Sequence, residues 1–266
     1  MRSLVVLLAA AVATAAAAGP GVGPPTLVGA TEDGRLVVFR ADRPGVTRVV
    51  RPSGIAGVLV GVDTRPADGR LYGLTTSNDL YRIDPATGAA TLVSTLTIPF
   101  DGDLRSGIAF NPQTDRLRLV SAAGQNMRVN VLLGAAAVDA PLAYATHDPN
   151  AGKRPAIAGA AYTSVVPGAP TTKLYEIDAA ADVLVLQDPP NDGVLATVGP
   201  LGVDVDPLAG FAIVTDAAGG DHAYAATGGT LCTVDLATGR ATAVGAIGAP
   251  AVPLVSLAAV AGLDAP

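Results

Sequence analysis

Four segments of this chain open in the same way and stand one structural unit apart. Gly61-Val62-Asp63-Thr64-Arg65-Pro66, Gly107-Ile108-Ala109-Phe110-Asn111-Pro112 and Gly202-Val203-Asp204-Val205-Asp206-Pro207 each place a proline five positions after a glycine and an apolar residue. Gly159-Ala160-Ala161-Tyr162 begins likewise without the proline. The starts are separated by about 46, 52 and 43 residues, a spacing at which one supersecondary unit stacks on the next. Inside the units Leu80-Tyr81-Arg82-Ile83-Asp84, Leu174-Tyr175-Glu176-Ile177-Asp178 and Leu231-Cys232-Thr233-Val234-Asp235 alternate apolar with polar residues, the two-residue period of a half-buried strand. Turn residues separate the runs. Asp84-Pro85-Ala86-Thr87-Gly88 and Asp235-Leu236-Ala237-Thr238-Gly239 read as one hairpin used twice.

No stretch after residue 18 holds a sustained 3.6-residue period, so helices are expected only as single turns. The ends complement each other. Thr26 to Thr31, Arg35 to Arg40 and Thr47 to Val50 form strands without an opening glycine strand, whereas Val255 to Val260 is an apolar strand with no unit after it. Letting the last strand enter the first unit closes a ring and leaves no open sheet edge. The expectation is an all-β fold, a small β-propeller of about five blades closed by pairing of its N- and C-terminal strands. Six blades, from a different division of residues 159–201, is the alternative, and a β-sandwich a more distant one. In domain terms this gives a signal peptide at 1–18, a Gly/Pro linker at 19–25, one propeller domain at 26–260 and a tail at 261–266.

Export is expected from the N-terminus. Arg2 supplies a positive start, Leu4 to Val12 an apolar run and Ala13 to Ala18 the small residues of a cleavage site. The apolar stretch is shorter than the roughly 20 residues a spanning helix needs, and Gly19 and Pro20 follow at once. A secreted or periplasmic protein with no membrane attachment after cleavage is the reading. The net charge of −6 repels phosphates, which argues against nucleic acid and anionic lipid as partners. The single Cys232 cannot form an internal disulfide and reads as a buried strand residue. Aromatics make up only 4% and tryptophan is missing, so the core has to come from Ala, Val, Leu and Ile.

Several polar groups are candidates for a site. Gln125, Asn126, Arg128 and Asn130 crowd one strand; amides offer donors and acceptors, and an arginine fork fits a carboxylate or phosphate. The same residues would also serve to lock blade to blade. Asp188-Pro189-Pro190-Asn191-Asp192-Gly193 is a turn in which two prolines fix the approach of Asn191 and Asp192. Asp63, Asp204 and Asp206 sit in opening strands, which in a propeller line the central channel, with Asn111 at a related place. Asp101-Gly102-Asp103 lacks the further acidic positions of a calcium loop, and His147 and His222 have no third partner for zinc. No nucleophile elbow, phosphate loop or dinucleotide fingerprint is present, and no cofactor is expected.

The runs Gly107 to Pro112, Asp115-Arg116-Leu117-Arg118-Leu119-Val120-Ser121, Gly124-Gln125-Asn126-Met127-Arg128-Val129-Asn130 and Gln187-Asp188-Pro189-Pro190-Asn191-Asp192-Gly193 resemble the signature of an uncharacterised bacterial family, a secreted propeller-like domain of unknown function. The resemblance extends over nearly the whole chain past the leader. It implies export and a repeat fold and brings no activity with it. One departure stands out: Ala212, within Gly210-Phe211-Ala212-Ile213, occupies a stretch where the family often has an acidic residue. The functional expectation is an exported module that binds a small molecule, glycan or protein through Gln125, Asn126, Arg128, Asn130, Asn191, Asp192, Asp63 and Asp204. The alternative is an extracellular hydrolase or lyase working through the channel carboxylates, with or without a metal ion.

Overall fold

The computed structural model describes residues 23–266, so the signal peptide expected at 1–18 and most of the expected linker lie outside the described residues. The first strands are β1 (Thr26–Ala30), β2 (Leu36–Arg40) and β3 (Arg43–Val50). Blade 2 follows as β4 (Leu59–Arg65), β5 (Arg70–Thr75), β6 (Asp79–Ile83) and β7 (Ala90–Thr95). Blade 3 is β8 (Ser106–Asn111), β9 (Arg116–Ser121), β10 (Asn126–Asn130) and β11 (Ala135–Val138). A short β12 (Ala143–Tyr144) precedes blade 4, made of β13 (Ile157–Tyr162), β14 (Leu174–Asp178), β15 (Val183–Gln187) and β16 (Val194–Pro200). Blade 5 is β17 (Ala209–Thr215), β18 (Asp221–Thr227), β19 (Thr230–Val234) and β20 (Ala241–Ala246), and β21 (Ser256–Ala259) ends the series.

The strands of each blade pair antiparallel, and the one parallel partner among the named strands is β12, which adds to β16 at the edge of blade 4. β21 pairs antiparallel with β1, Leu27 opposite Ala259 and Ala30 opposite Ser256, so blade 1 runs β21-β1-β2-β3. Five blades result, and the ring is closed by the last strand as its apolar character requires. The two hairpins expected to match do so in detail. Asp84 and Asp235 each accept the amide two residues on at 2.8 Å, and Gly88 and Gly239 each donate back to that aspartate's carbonyl, at 2.7 and 2.8 Å. The one helical element among the described residues is a single 3-10 turn, Pro190–Asp192.

The fourth repeat start needs correction. Residues 202–207 form no strand; they belong to the link that leaves β16 and enters β17. The alternation there imitates a strand because Leu201 and Val205 plug the core between blades 4 and 5, while the Asp182 carboxyl receives the Val205 amide at 2.8 Å. Asp204 and Asp206 are exposed in this link and do not line the axis. The actual opening strand is Gly210-Phe211-Ala212-Ile213, wholly buried.

The corrected register puts Gly61, Gly107, Gly159, Gly210 and Ser256 at one level of the five inner strands. A Cβ on Gly107 would stand 2.6 Å from Ala160 Cβ, on Gly159 2.8 Å from Phe211 Cβ, and on Gly210 2.7 Å from the Ser256 carbonyl carbon. Glycine therefore lets neighbouring inner strands touch. Ser256 substitutes for it at the closure by accepting the Val62 amide at 3.0 Å and donating to the Val62 carbonyl at 3.1 Å. The core is divided into clusters between successive blades, so the middle strands are covered on both faces; β14 is buried at all five positions.

Candidate functional site

The inner strands end on one face of the ring, and the polar residues of blades 3 and 4 converge there. Arg118 is central in β9, opposite Ala109 of β8 and Arg128 of β10, on the side of the sheet that meets blade 4. Its guanidinium is 4% exposed. One terminal nitrogen donates to Asn126 Oδ1 and to Asp139 Oδ2, both at 2.7 Å, and the other donates to Asn191 Oδ1 at 2.7 Å. Asn126 in turn donates to the carbonyls of Ala140 and Pro190, at 3.0 and 2.9 Å. Blade 3 thus clamps the Asp188–Gly193 turn of blade 4 through charge-assisted bonds, the stronger kind. Gly193 completes the turn at φ +67, where a Cβ would lie 2.4 Å from the Pro141 carbonyl oxygen.

Above this clamp opens a cleft of about 540 Å³, walled by Asn111, Arg116, Arg118, Arg128, Tyr162 and the Pro189 to Asp192 turn. Arg128 is half exposed and shares Asp139 with Arg118, its Nε lying 3.1 Å from Asp139 Oδ1. Arg116 is exposed and reaches only the carbonyls of Thr114 and Asp115, at 3.5 and 3.3 Å. Three guanidiniums therefore line a cleft whose one lining carboxylate is the exposed Asp192, while Asp139 behind it is shared by Arg118 and Arg128. The cleft has a positive surplus on a chain whose net charge is −6.

Beneath it, Glu176 is 0% exposed, and neither carboxyl oxygen has a partner among the described residues. Burial lifts its carboxyl to about 8 against the opposing charge of Arg118, while Asp178 pushes the same way as burial. The group is neutral at pH 7, the state a carboxyl takes in a dry site without donors. Arg118 Nε and Gln187 Oε1, at the same blade boundary, are also buried and unpartnered among the described residues. Asp178 is satisfied, accepting from the Tyr144 hydroxyl and from the amides of Ala156 and Ala180 at 3.0 and 2.8 Å.

Of the residues singled out from sequence, Asn126, Arg128, Asn191 and Asp192 come together here. The other four do not. Gln125 accepts the Asp101 amide at 2.8 Å and donates to the Pro99 carbonyl at 3.3 Å, tying the Ala122–Gln125 turn to the loop before β8. Asn130 accepts the Leu132 amide at 3.1 Å and shapes its own turn. Asp63 bonds the amides of Thr64 and Phe110, at 2.8 and 2.7 Å, and joins blade 2 to blade 3. It lies near the end of β4, whereas Asp204 precedes the start of β17, so these carboxylates sit toward opposite ends of the ring and make no pair. At the remaining candidates, Asp103 is engaged by Arg105 at 2.6 Å, and His222 lies 2.9 Å from Asp216.

Sequence reasoning did not select Arg116, Arg118, Asp139, Tyr162 or Glu176. A signal existed for Arg118, which stands between Leu117 and Leu119 where the matching copy has Tyr72. A charge inside such a strand has to be paired or put to use. Glu176 looked like the outward residue of an alternating strand and became interior because a neighbouring blade covers that side.

Five sheets closed into a ring and a cationic interblade cleft define a β-propeller with a polar site between two of its blades. The chain belongs to the family described as Domain of unknown function (DUF4394), whose model matches residues 35–258. Among curated proteins none matches the sequence. Among solved structures it is similar to a structural genomics protein of unknown function from Bacteroides thetaiotaomicron, at 17% identity and a TM-score of 0.50, covering 83% of this chain and 57% of that one. A protein of unknown function from Bacteroides caccae is similar at 12% identity and a TM-score of 0.42, with 83% of this chain and 72% of that chain covered. The chain thus spans less than two thirds of the Bacteroides thetaiotaomicron protein.

Proposed function

We propose that this protein is an exported binding module that holds a small acidic ligand, a sugar acid or a comparable carboxylate, in the cleft between blades 3 and 4. One observation carries the reading: Arg116, Arg118 and Arg128 converge on a cleft that offers them fewer carboxylates than they can use, while the rest of the chain is acidic. Arg118 is held rigid by Asn126, Asp139 and Asn191, and Arg116 and Arg128 present planar forks to the opening. A carboxylate fits such forks in a bidentate way, and the amides of Asn111 and Asn191 in the wall suit hydroxyl groups. A preformed wall of this kind lowers the ordering cost of binding. Export rests on the pattern of Arg2, Leu4 to Val12 and Ala13 to Ala18; N-terminal sequencing of the protein recovered from a culture supernatant or periplasm should find residues 1–18 removed.

Isothermal titration with glucuronate and with glucose tests the site. Glucuronate should bind and glucose should bind at least about tenfold more weakly, since a charge-assisted contact is worth 1.5 to 3 kcal/mol. The double variant Arg116→Ala, Arg128→Ala should lose that preference. Equal affinity for acid and neutral sugar, or undiminished glucuronate binding by the double variant, overturns the reading.

A further inference from the structure

The mouth of the ring, where the inner strands end, contains a second cavity, of about 440 Å³. Its walls are apolar: Pro66 after β4, Val165 after β13, Ile213 and Val214 of β17, and Val260 after β21. Behind it, at the level of the glycines, neighbouring inner strands touch. Among the described residues Asp63 is the only ionisable side chain in the lining. Each of its oxygens accepts one backbone amide and retains capacity for another donor. Among the described residues no basic group acts on it; burial raises its carboxyl, to about 7, against those two amide bonds. Beside it the Thr64 hydroxyl oxygen is buried and has no partner among the described residues.

An apolar concavity with a few polar groups at one point is the ordinary form of a small-molecule site. What this one asks for is set by charge. An anion would meet an uncompensated carboxylate, and a neutral alcohol would leave that partly buried carboxylate without a counter-charge, whereas an ammonium head would neutralise it and donate to it. We propose that the mouth is a second binding site, for a small molecule with an apolar body and a primary ammonium head, the head seated on Asp63 and within reach of the Thr64 hydroxyl. The site is independent of the cleft and has the opposite charge preference: the cleft takes acids, the mouth takes amines.

Isothermal titration of the purified protein with 2-phenylethylamine and with 2-phenylethanol, at about pH 8 where the amine is charged, tests it. The amine should bind in a saturable way, and the alcohol, which has nearly the same shape, about thirtyfold more weakly or not at all. Asp63→Asn should lose the amine to a similar extent. Because Asp63 also joins two blades, Val214→Arg provides a second test that leaves the Asp63 bonds in place; a cation on the wall should abolish amine binding in a protein that melts normally. Amine and alcohol binding alike, no saturable amine binding, or amine binding unchanged in Val214→Arg would each overturn the proposal.

Discussion

Blade 3 is packed in two different ways. Toward blade 2 it presents Ile108, Phe110, Leu117, Leu119, Met127 and Val129 to Tyr72, Leu74 and Leu80, an apolar interior with Asp63 on the Phe110 amide at one end and the Arg65–Asp115 pair at the rim. Toward blade 4 it presents Arg118 and Asn126, with Asp139 between the sheets, and meets Glu176, Gln187 and the Asn191 turn. The same strand, β9, supplies both faces, because Leu117 and Leu119 point one way and Arg118 the other. The apolar boundary would hold almost any well-packed side chains. The polar one is specific: its bonds place residues of the cleft, and four of its buried polar atoms remain without partners among the described residues. Stability is supplied by the first boundary, and the second spends part of it on positioning the cleft.

The comparison can be broken most sharply at Arg118. Arg118→Ala would leave Asp139 buried beside only the half-exposed Arg128 and would strip Asn126 and Asn191 of their partner, a loss of about 3 to 5 kcal/mol. Leu119→Ala, fully buried in the apolar boundary, should cost about 2 to 5 kcal/mol by cavity formation. Denaturant unfolding would give the two values, and glucuronate titration would separate them: affinity should fall in Arg118→Ala and persist in Leu119→Ala. If both variants bind alike, the division of labour is wrong.

Glu176 sharpens the comparison through pH. Its folded carboxyl is raised to about 8 from an ordinary value near 4.5, so the native protein keeps a proton that the unfolded chain has already released. Stability from this group is therefore whole at low pH and is lost as pH rises between those values, by up to about 1.4 kcal/mol per unit. Glu176→Gln should remove that slope, gaining on the parent as pH rises from about 5 to 8. Melting curves of parent and variant that stay parallel over this range would show that the carboxyl is not held neutral. Asp63 adds a slope of the same sign to both proteins and cancels in the difference.

The smallest effect is expected at Gln125, whose bonds to Asp101 and Pro99 lie at a solvent-exposed edge. Gln125→Ala should cost about 0.5 to 1.5 kcal/mol and leave glucuronate binding intact. A loss of binding there would extend the site across the ring.

Repetition was readable in the sequence because each blade must solve the same local problem with the same residues. Glycine sits where inner strands touch, aspartate and glycine sit at matching hairpins, and an apolar terminal strand is left to close the ring. The misplaced start at Gly202 shows the limit of that reading. A link that plugs a core with Leu201 and Val205 has the same alternation as a strand, and only hydrogen-bond pairing tells them apart. Likewise Asn126, Arg128, Asn191 and Asp192 were visible as a polar excess, yet nothing in the chain says that residues 65 positions apart share a cleft while Gln125, next to Asn126, does not.

The sequence by itself determined the all-β class and the closure, since these follow from period, turn chemistry and the strand left over at each end; between five blades and six, hydrogen-bond pairing decided. Tertiary structure alone decided which polar residues became a site. A blade has two faces, both covered, and whether a buried arginine, asparagine or glutamate is a lock or a ligand contact depends on what the next blade sets against it across the interface.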